Sequence, residues 1–325
     1  MAHDLATTNG KAAMAFFGET PWHGLGERLE RPATSQEAIT AAGLDYKVEL
    51  RPIGTACGQY VPMRKAVVRN DSKEVLGVVG NKYVPIQNHQ CFEFLDSVVA
   101  DGQVTYHTAG ALGSGERIWM LAKLPNTIRV KGTDDITEQF LLLSNSHNGS
   151  SSLRVFFTPI RVVCANTLGA AERQGRKQGV SIYHRGDLAA KVGEAQKILG
   201  LASRFYDDLE TKINQLASTQ LSKLQLETYF QSLYPDPVDS KSKRAKNVRD
   251  DLTRLFDEGK GQDIPGIRHS AWAAFNAVTE HVDWHRSTRG KSELEKRSNR
   301  LKSAWFGSGS RIKSQAWGLA MDMVG

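Results

Sequence analysis

Between Ser144 and Leu168 the chain reads SNSHNGSSSLRVFFTPIRVVCANTL, which puts His147, a run of serines and Cys164 within 25 residues. These are the residue types of nucleophilic acyl transfer, a chemistry that needs a base in hydrogen-bond reach of the nucleophile and a third group behind the base. The spacing favours scaffold instead. Asn148-Gly149 is a hairpin-turn pair, Cys164 sits among Val162, Val163 and Ala165 as a small buried hydrophobe, and no G-x-S-x-G elbow occurs.

Metal and phosphate-loop chemistry find no better purchase. His281 and His285 are four apart and share one helical face, but HVDWH lacks the glutamate of H-E-x-x-H. The doublets Asp134-Asp135 and Asp207-Asp208 do not face each other in either regular structure, and Cys57, Cys91 and Cys164 form no C-x-x-C pair. No Walker or dinucleotide loop is present. GSGSRIK, residues 307–313, offers backbone amides and Arg311 to a phosphate or serves as a linker. The expectation is no metal, no cofactor and no catalytic residue.

Binding to a polyanion asks for surface, not for a triad. Strand alternation puts Arg154, Phe156 and Thr158 on one face and Val155, Phe157 and Pro159 on the other. Arg161 follows seven residues after Arg154. Arg64, Lys65 and Arg69 lie on a neighbouring hairpin, and Lys177, Tyr183 and Arg185 bracket a last strand and extend the stripe. Arginine and lysine neutralise phosphates while Phe156 or Tyr183 stack on bases. The alternative is that the arginines pair with Glu116, Asp135 or Glu138 across the sheet. The charge balance suits an anionic partner: 42 basic against 35 acidic residues give a net +7, with nine basic and two acidic residues between Arg286 and Lys313.

The elements that must position these residues follow from periodicity. KAVVRNDSKEVLGVVG predicts two strands about Asn70-Asp71. Asn88 caps a helix with Cys91, Phe92, Leu95, Val98 and Val99 at helical spacing, ended by Asp101-Gly102. VTYHTAGALGSGERIWMLAKL predicts a hairpin, and EQFLLLSNS and SLRVFFTPI two further strands. Ser35 is placed as the cap of a short helix. From Gly186 a long helix with Asp187 as its cap begins the C-terminal part, followed by SKLQLETYFQSLY, SKSKRAKNVRDDLTRLFDEG, IRHSAWAAFNAVTEHVDWH and SNRLKSAWFGSGSRIKSQAWGLAMDMV, the last with Gly307 and Gly309 placed to interrupt it. The fold class is therefore α+β: a curved antiparallel sheet with helices packed on one face, residues 1–185, then a helical region, residues 186–325. With no apolar leader and no apolar run near 18 residues, the reading is a cytoplasmic protein with no membrane partner.

PWHGLG at 21–26, NKYVPIQNHQCFEFLD at 81–96, the SNSHNGS turn and FTPIRVVCANTL at 157–168, with YHRGD beyond, resemble the phage- and plasmid-like proteins of the domain-of-unknown-function family numbered 932. The resemblance covers roughly residues 20–200; it implies a phage, prophage or plasmid setting and supplies no catalytic residues. The hairpin, the sheet and the GNKYVPIQN-then-helix segment also resemble single-strand annealing recombinases, a likeness of pattern that does not fix function. The expected function is non-catalytic binding and annealing or protection of single-stranded DNA by a homo-oligomer. The rivals are an enzyme acting on nucleic acid or nucleotide through His107 or His147, and a phage structural or host-interaction protein.

Overall fold

The computed structural model describes residues 6–8, 11–17, 26–31, 34–99, 105–161, 166–167, 180–182, 195–237 and 243–324. In chain order its strands begin with β1 (Thr7–Thr8), β2 (Lys11–Ala12), β3 (Met14–Phe17) and β4 (Glu27–Leu29). After helix α1 (Ser35–Ala41) come β5 (Val48–Gly54), β6 (Tyr60–Arg69) and β7 (Val75–Gly80), then helix α2 (Asn88–Val99). Next are β8 (Thr105–Leu112), β9 (Arg117–Arg129), β10 (Ile136–Ser146), β11 (Leu153–Arg161), β12 (Asn166–Thr167) and β13 (Val180–Ile182). The helical region holds α3 (Ala195–Ser218), α4 (Lys223–Leu233), α5 (Arg244–Glu258), α6 (Ala271–Glu280), α7 (Glu293–Phe306) and α8 (Ser308–Asp322).

The main sheet runs β12-β11-β10-β9-β8-β3-β4, with β13 also on β11; a second sheet runs β5-β6-β7. The main sheet is mixed, because β3 and β4 pair in parallel whereas its other pairs are antiparallel. Its centre is the ladder of β9, β10 and β11, in which Ser144 faces Trp119 on one side and Arg154 on the other.

Helices cover this ladder on both faces, which corrects the expectation of a single covered face. One face presents Met120, Leu141, Leu143, Val155 and Phe157 to a core shared with Phe92 and Leu95 of α2, Phe205 and Tyr206 of α3, and Trp272 and Phe275 of α6. The other presents Trp119, Leu121, Phe140, Leu142 and Phe156 to Leu301, Ala304 and Trp305 of α7, with Trp119 and Trp305 edge-to-face at 4.8 Å. Strands buried on both faces read as continuous apolar runs, not as alternation, which is how IWMLA and FLLL read.

Polar contacts fix the helices in register on the sheet. A bulge interrupts the β9–β10 pairing between Glu138 and Phe140. There the Tyr206 hydroxyl donates to the Phe140 carbonyl at 2.6 Å and accepts from the Phe140 amide at 3.0 Å. Trp272 Nε1 donates to Asp135 at 2.7 Å, tying α6 to the β9–β10 turn. Two helix starts differ from expectation. Thr34, one residue earlier than Ser35, caps α1 and forms a full capping box with Glu37, the acidic residue having been measured from the wrong cap. Asn88, expected to cap α2, is its first residue and turns its side chain to the Leu44 carbonyl and to His147 instead. The last expected helix is interrupted at Gly307, one of the two glycines expected to break it. The expected Asp187 cap of α3 lies outside the described residues.

Asp283 and Lys313 form an ion pair at 2.9 Å with both side chains fully buried, joining the segment after α6 to α8. Removing one partner strands a charge in the core, so Lys313→Ala should destabilise by roughly 3–5 kcal/mol. The joint replacement Asp283→Leu with Lys313→Met should cost far less. Denaturant unfolding of the two variants measures the difference.

Candidate nucleic-acid interface

The SNSHNGS turn is not an exposed hairpin tip. His147 is fully buried: its Nε2 meets Asn88 Oδ1 at 2.8 Å, its amide donates to the Glu116 carbonyl at 2.7 Å, and its ring packs edge-on to Tyr46. The next residue, Asn148, presses on β7. A Cβ built on Gly77 would sit 2.6 Å from the Asn148 Cβ, so only glycine fits there. Tyr83 donates to the carbonyls of Ser146 and His147. The turn is a clamp that seats the β5-β6-β7 sheet on the main sheet. Cys164 lies outside the described residues.

His107, the other histidine weighed for chemistry, is set into the opposite surroundings. Its ring packs edge-on to Phe140 at 5.2 Å and its Nδ1 meets Thr108 Oγ1 at 2.7 Å. Burial pushes its pKa from 6.5 down to about 4, against the pull of Glu138 and with the push of Lys123. The two histidines share no partner, so no dyad forms between them. Among the described residues no group of three or more His, Cys, Asp or Glu is placed to hold a metal ion.

The basic residues separate by burial. Arg69 is buried, bonds Asp71 through Nε and Nη2, donates Nη1 to the Ser114 carbonyl, and lies 3.8 Å over the Tyr46 ring. It closes the base of the small sheet. Arg64 is exposed and Lys65 half-buried, beyond that base. Arg154 is half-buried on β11, with its Nε donating to Ser152 Oγ at 3.4 Å. The carboxylates considered for it are engaged elsewhere: Glu138 pairs with Lys123, Asp135 takes Trp272 and Glu116 takes the Ser114 amide. Phe156 is buried in the second core. The backbone of Arg161 pairs with Thr137, while its side chain and the residues Lys177, Tyr183 and Arg185 lie outside the described residues.

What the residue pattern did not single out is the distal hairpin of β5 and β6. Thr55–Gln59 forms its turn, closed by the Thr55 amide on the Gln59 carbonyl at 2.8 Å, and Gly58 supplies a φ of +83°. Tyr60 is 62% exposed and Met63 63% exposed. Arg64 stands on the same strand, and Arg51, paired with Glu49, lies across from Ala66. On the neighbouring edge strand β7, Val75 and Val78 are also exposed. The signal that could have found it is QYVPMRK, an aromatic followed by two basic residues on a β-rich stretch.

A family model described as "Domain of unknown function (DUF932)" matches residues 75–305. The matched span takes in β7 through α7 and leaves out PWHGLG and the β5–β6 hairpin. No curated protein and no solved structure matches the chain. Among the described residues no helix is long and apolar enough to cross a membrane.

The His107 environment has a pH consequence. Above pH 6.5 its ring is neutral folded and unfolded; between 6.5 and about 4 only the unfolded chain takes up the proton, so stability falls with pH; below about 4 the loss is complete. The loss amounts to about 3 kcal/mol. His107→Phe should remove that part of the slope, read from denaturant unfolding at pH 4, 5, 6 and 7.

Proposed function

The chain belongs to the DUF932 family, and from that premise we propose that it is a non-catalytic protein that binds single-stranded DNA and, as a homo-oligomer, anneals or protects strands in a phage, prophage or plasmid setting. The observation that carries this reading is the projecting β5–β6 hairpin, on which Tyr60 is exposed and Arg64 and Lys65 follow four and five residues along the same strand. A base stacks on an exposed ring whatever its sequence, and the cations neutralise the phosphates that flank it. The likeness to annealing recombinases rests on the sequence pattern of hairpin, curved antiparallel sheet, GNKYVPIQN-then-helix segment and basic face; the hairpin and that segment fall on β6, β7 and α2.

Oligomerisation finds support on the same small sheet. β7 is its edge, and an edge strand with exposed Val75 and Val78 offers both unpaired backbone groups and apolar surface to another copy. Arg154, half-buried on β11 between β10 and β13, and the basic stretch from Arg286 would add phosphate contacts apart from the hairpin. Arg69 and Phe156 serve the fold beneath it.

Titration of a fluorescent single-stranded oligonucleotide against salt tests the reading. Binding at about 50 mM salt should weaken steeply on a log–log plot as salt rises, and Tyr60→Ala should cost roughly 1–3 kcal/mol of affinity. Arg64→Ala with Lys65→Ala should make the salt slope shallower. An absence of binding at low salt, or a slope of zero, overturns the reading. Mass measurement showing a strict monomer with DNA bound would remove the annealing part.

A further inference from the structure

Helix α6 is buried along all ten of its residues, and at its end the backbone widens into a π turn, His281–His285. The Arg286 amide closes it on the His281 carbonyl at 2.7 Å. In an α-helix, residues five apart diverge by about 140° around the axis. In the wider turn they stack, so His281, His285 and Arg286 reach one side. All three line a cavity of about 560 Å³ with Tyr234, Pro237 and Arg244.

One wall of this cavity is cationic. Arg286 gives Nη1 to the hydroxyls of Ser303 and Ser308 at 3.3 and 3.0 Å, which occupy its hydrogen atoms without compensating its charge. His281 is 6% exposed, and Asp251 Oδ2 holds its Nδ1 at 2.7 Å, so Nε2 is the atom left to meet a ligand. Asp251 is shared with Arg254 at 2.6 Å. His285 keeps 40% of its side chain exposed, with Glu280 at 3.8 Å. The N-terminus of α5 adds to this wall: Lys243 makes no side-chain cap, and Arg244 and Ala245 border the cavity. First-turn amides carry the positive end of the helix dipole.

The other wall is apolar and aromatic, with Leu233, Tyr234, the two prolines and Val248. The Tyr234 hydroxyl oxygen is buried and has no hydrogen-bond partner among the described residues. Arg244 and Arg286 both act electrostatically on it. A volume near 560 Å³ is that of a small-molecule site.

We propose that this cavity binds a nucleoside 5′-phosphate, free or at the end of a strand. The phosphate sits against Arg286, Arg244, His285 and the α5 amides, and the base lies along Tyr234 and the prolines. The Tyr234 hydroxyl then gains the partner it lacks. The site does not depend on the β5–β6 hairpin, and its lining falls within the family-matched span.

Calorimetric titration of the full chain tests this with five probes: deoxyadenosine 5′-phosphate, inorganic phosphate, deoxyadenosine, and a dinucleotide with and without its 5′-phosphate. The nucleotide should saturate at least about tenfold more tightly than phosphate or nucleoside separately, a difference of about 1.4 kcal/mol. Preference for the phosphorylated dinucleotide over the free nucleotide assigns the site to strand ends; the reverse assigns it to free nucleotide. Arg286→Gln should weaken binding about tenfold with an unchanged melting temperature. If that variant does not fold, His285→Asn, at a largely exposed side chain, should weaken binding in the same direction. Failure of the nucleotide to saturate by millimolar concentration, equal binding of phosphate by itself, or unchanged affinity in the variants overturns the proposal. Tyr60→Ala should leave nucleotide binding unchanged, which separates this site from the hairpin.

Discussion

Burial of the β9-β10-β11 ladder on both faces is the constraint to which the rest of the molecule answers. A sheet covered on both sides has no open face for a ligand, so α2, α3 and α6 on one side and α7 on the other commit its side chains to packing. Aromatic residues on the ladder, Phe156 among them, gain more from burial than from a base they cannot reach; a buried phenylalanine is worth roughly 1.5–3 kcal/mol. Surfaces for other molecules are therefore displaced to the edges: a hairpin beyond the small sheet and a cavity beyond the end of α6.

The displaced hairpin is useful only if its base is rigid, and the base is where the polar residues of the small sheet are spent. His147 is held by Asn88, Asn148 lies against Gly77, and Arg69 is clasped by Asp71, Ser114 and the face of Tyr46. A buried guanidinium is stable only when paired and hydrogen-bonded in this way. Arg69 and Arg64 share one strand five residues apart, yet one is a structural cation and the other faces water. Five residues along a strand put the two side chains on opposite faces, and only that of Arg69 meets Asp71, Ser114 and Tyr46.

This explains what was readable in the residues. Strands and turns were marked locally, by β-branched runs and by Asn70-Asp71, Gly113 and Asn148-Gly149, because backbone conformation at a turn is a property of a few neighbouring residues. The seating of His147 was not marked, since HNG makes the same turn in water or under another sheet. The covering of the second face depended on Trp305 meeting Trp119 across a long separation in the chain. The break at Gly307 was marked by its own glycine, whereas the cap at Thr34 was missed by one residue because Thr34 and Ser35 are both good caps. The π turn had no residue signature, and with it went the grouping of Arg286 with His281.

The net charge of +7 also changes meaning once the pairs are drawn. Lys313 is cancelled inside the core by Asp283, Arg69 by Asp71 and Lys123 by Glu138, so those cations do not contribute to a surface field. Two groups among the remainder differ in shape. On the hairpin, Arg64 and Lys65 share a strand with the exposed Tyr60, a flat arrangement that meets a chain of phosphates from one side and gains little from any single one. At the π turn, cations and an unpartnered hydroxyl face inward with an apolar wall opposite, and the lower local polarity strengthens each contact with one phosphate. Shape, not the amount of charge, separates a surface for a polymer from a site for a single group.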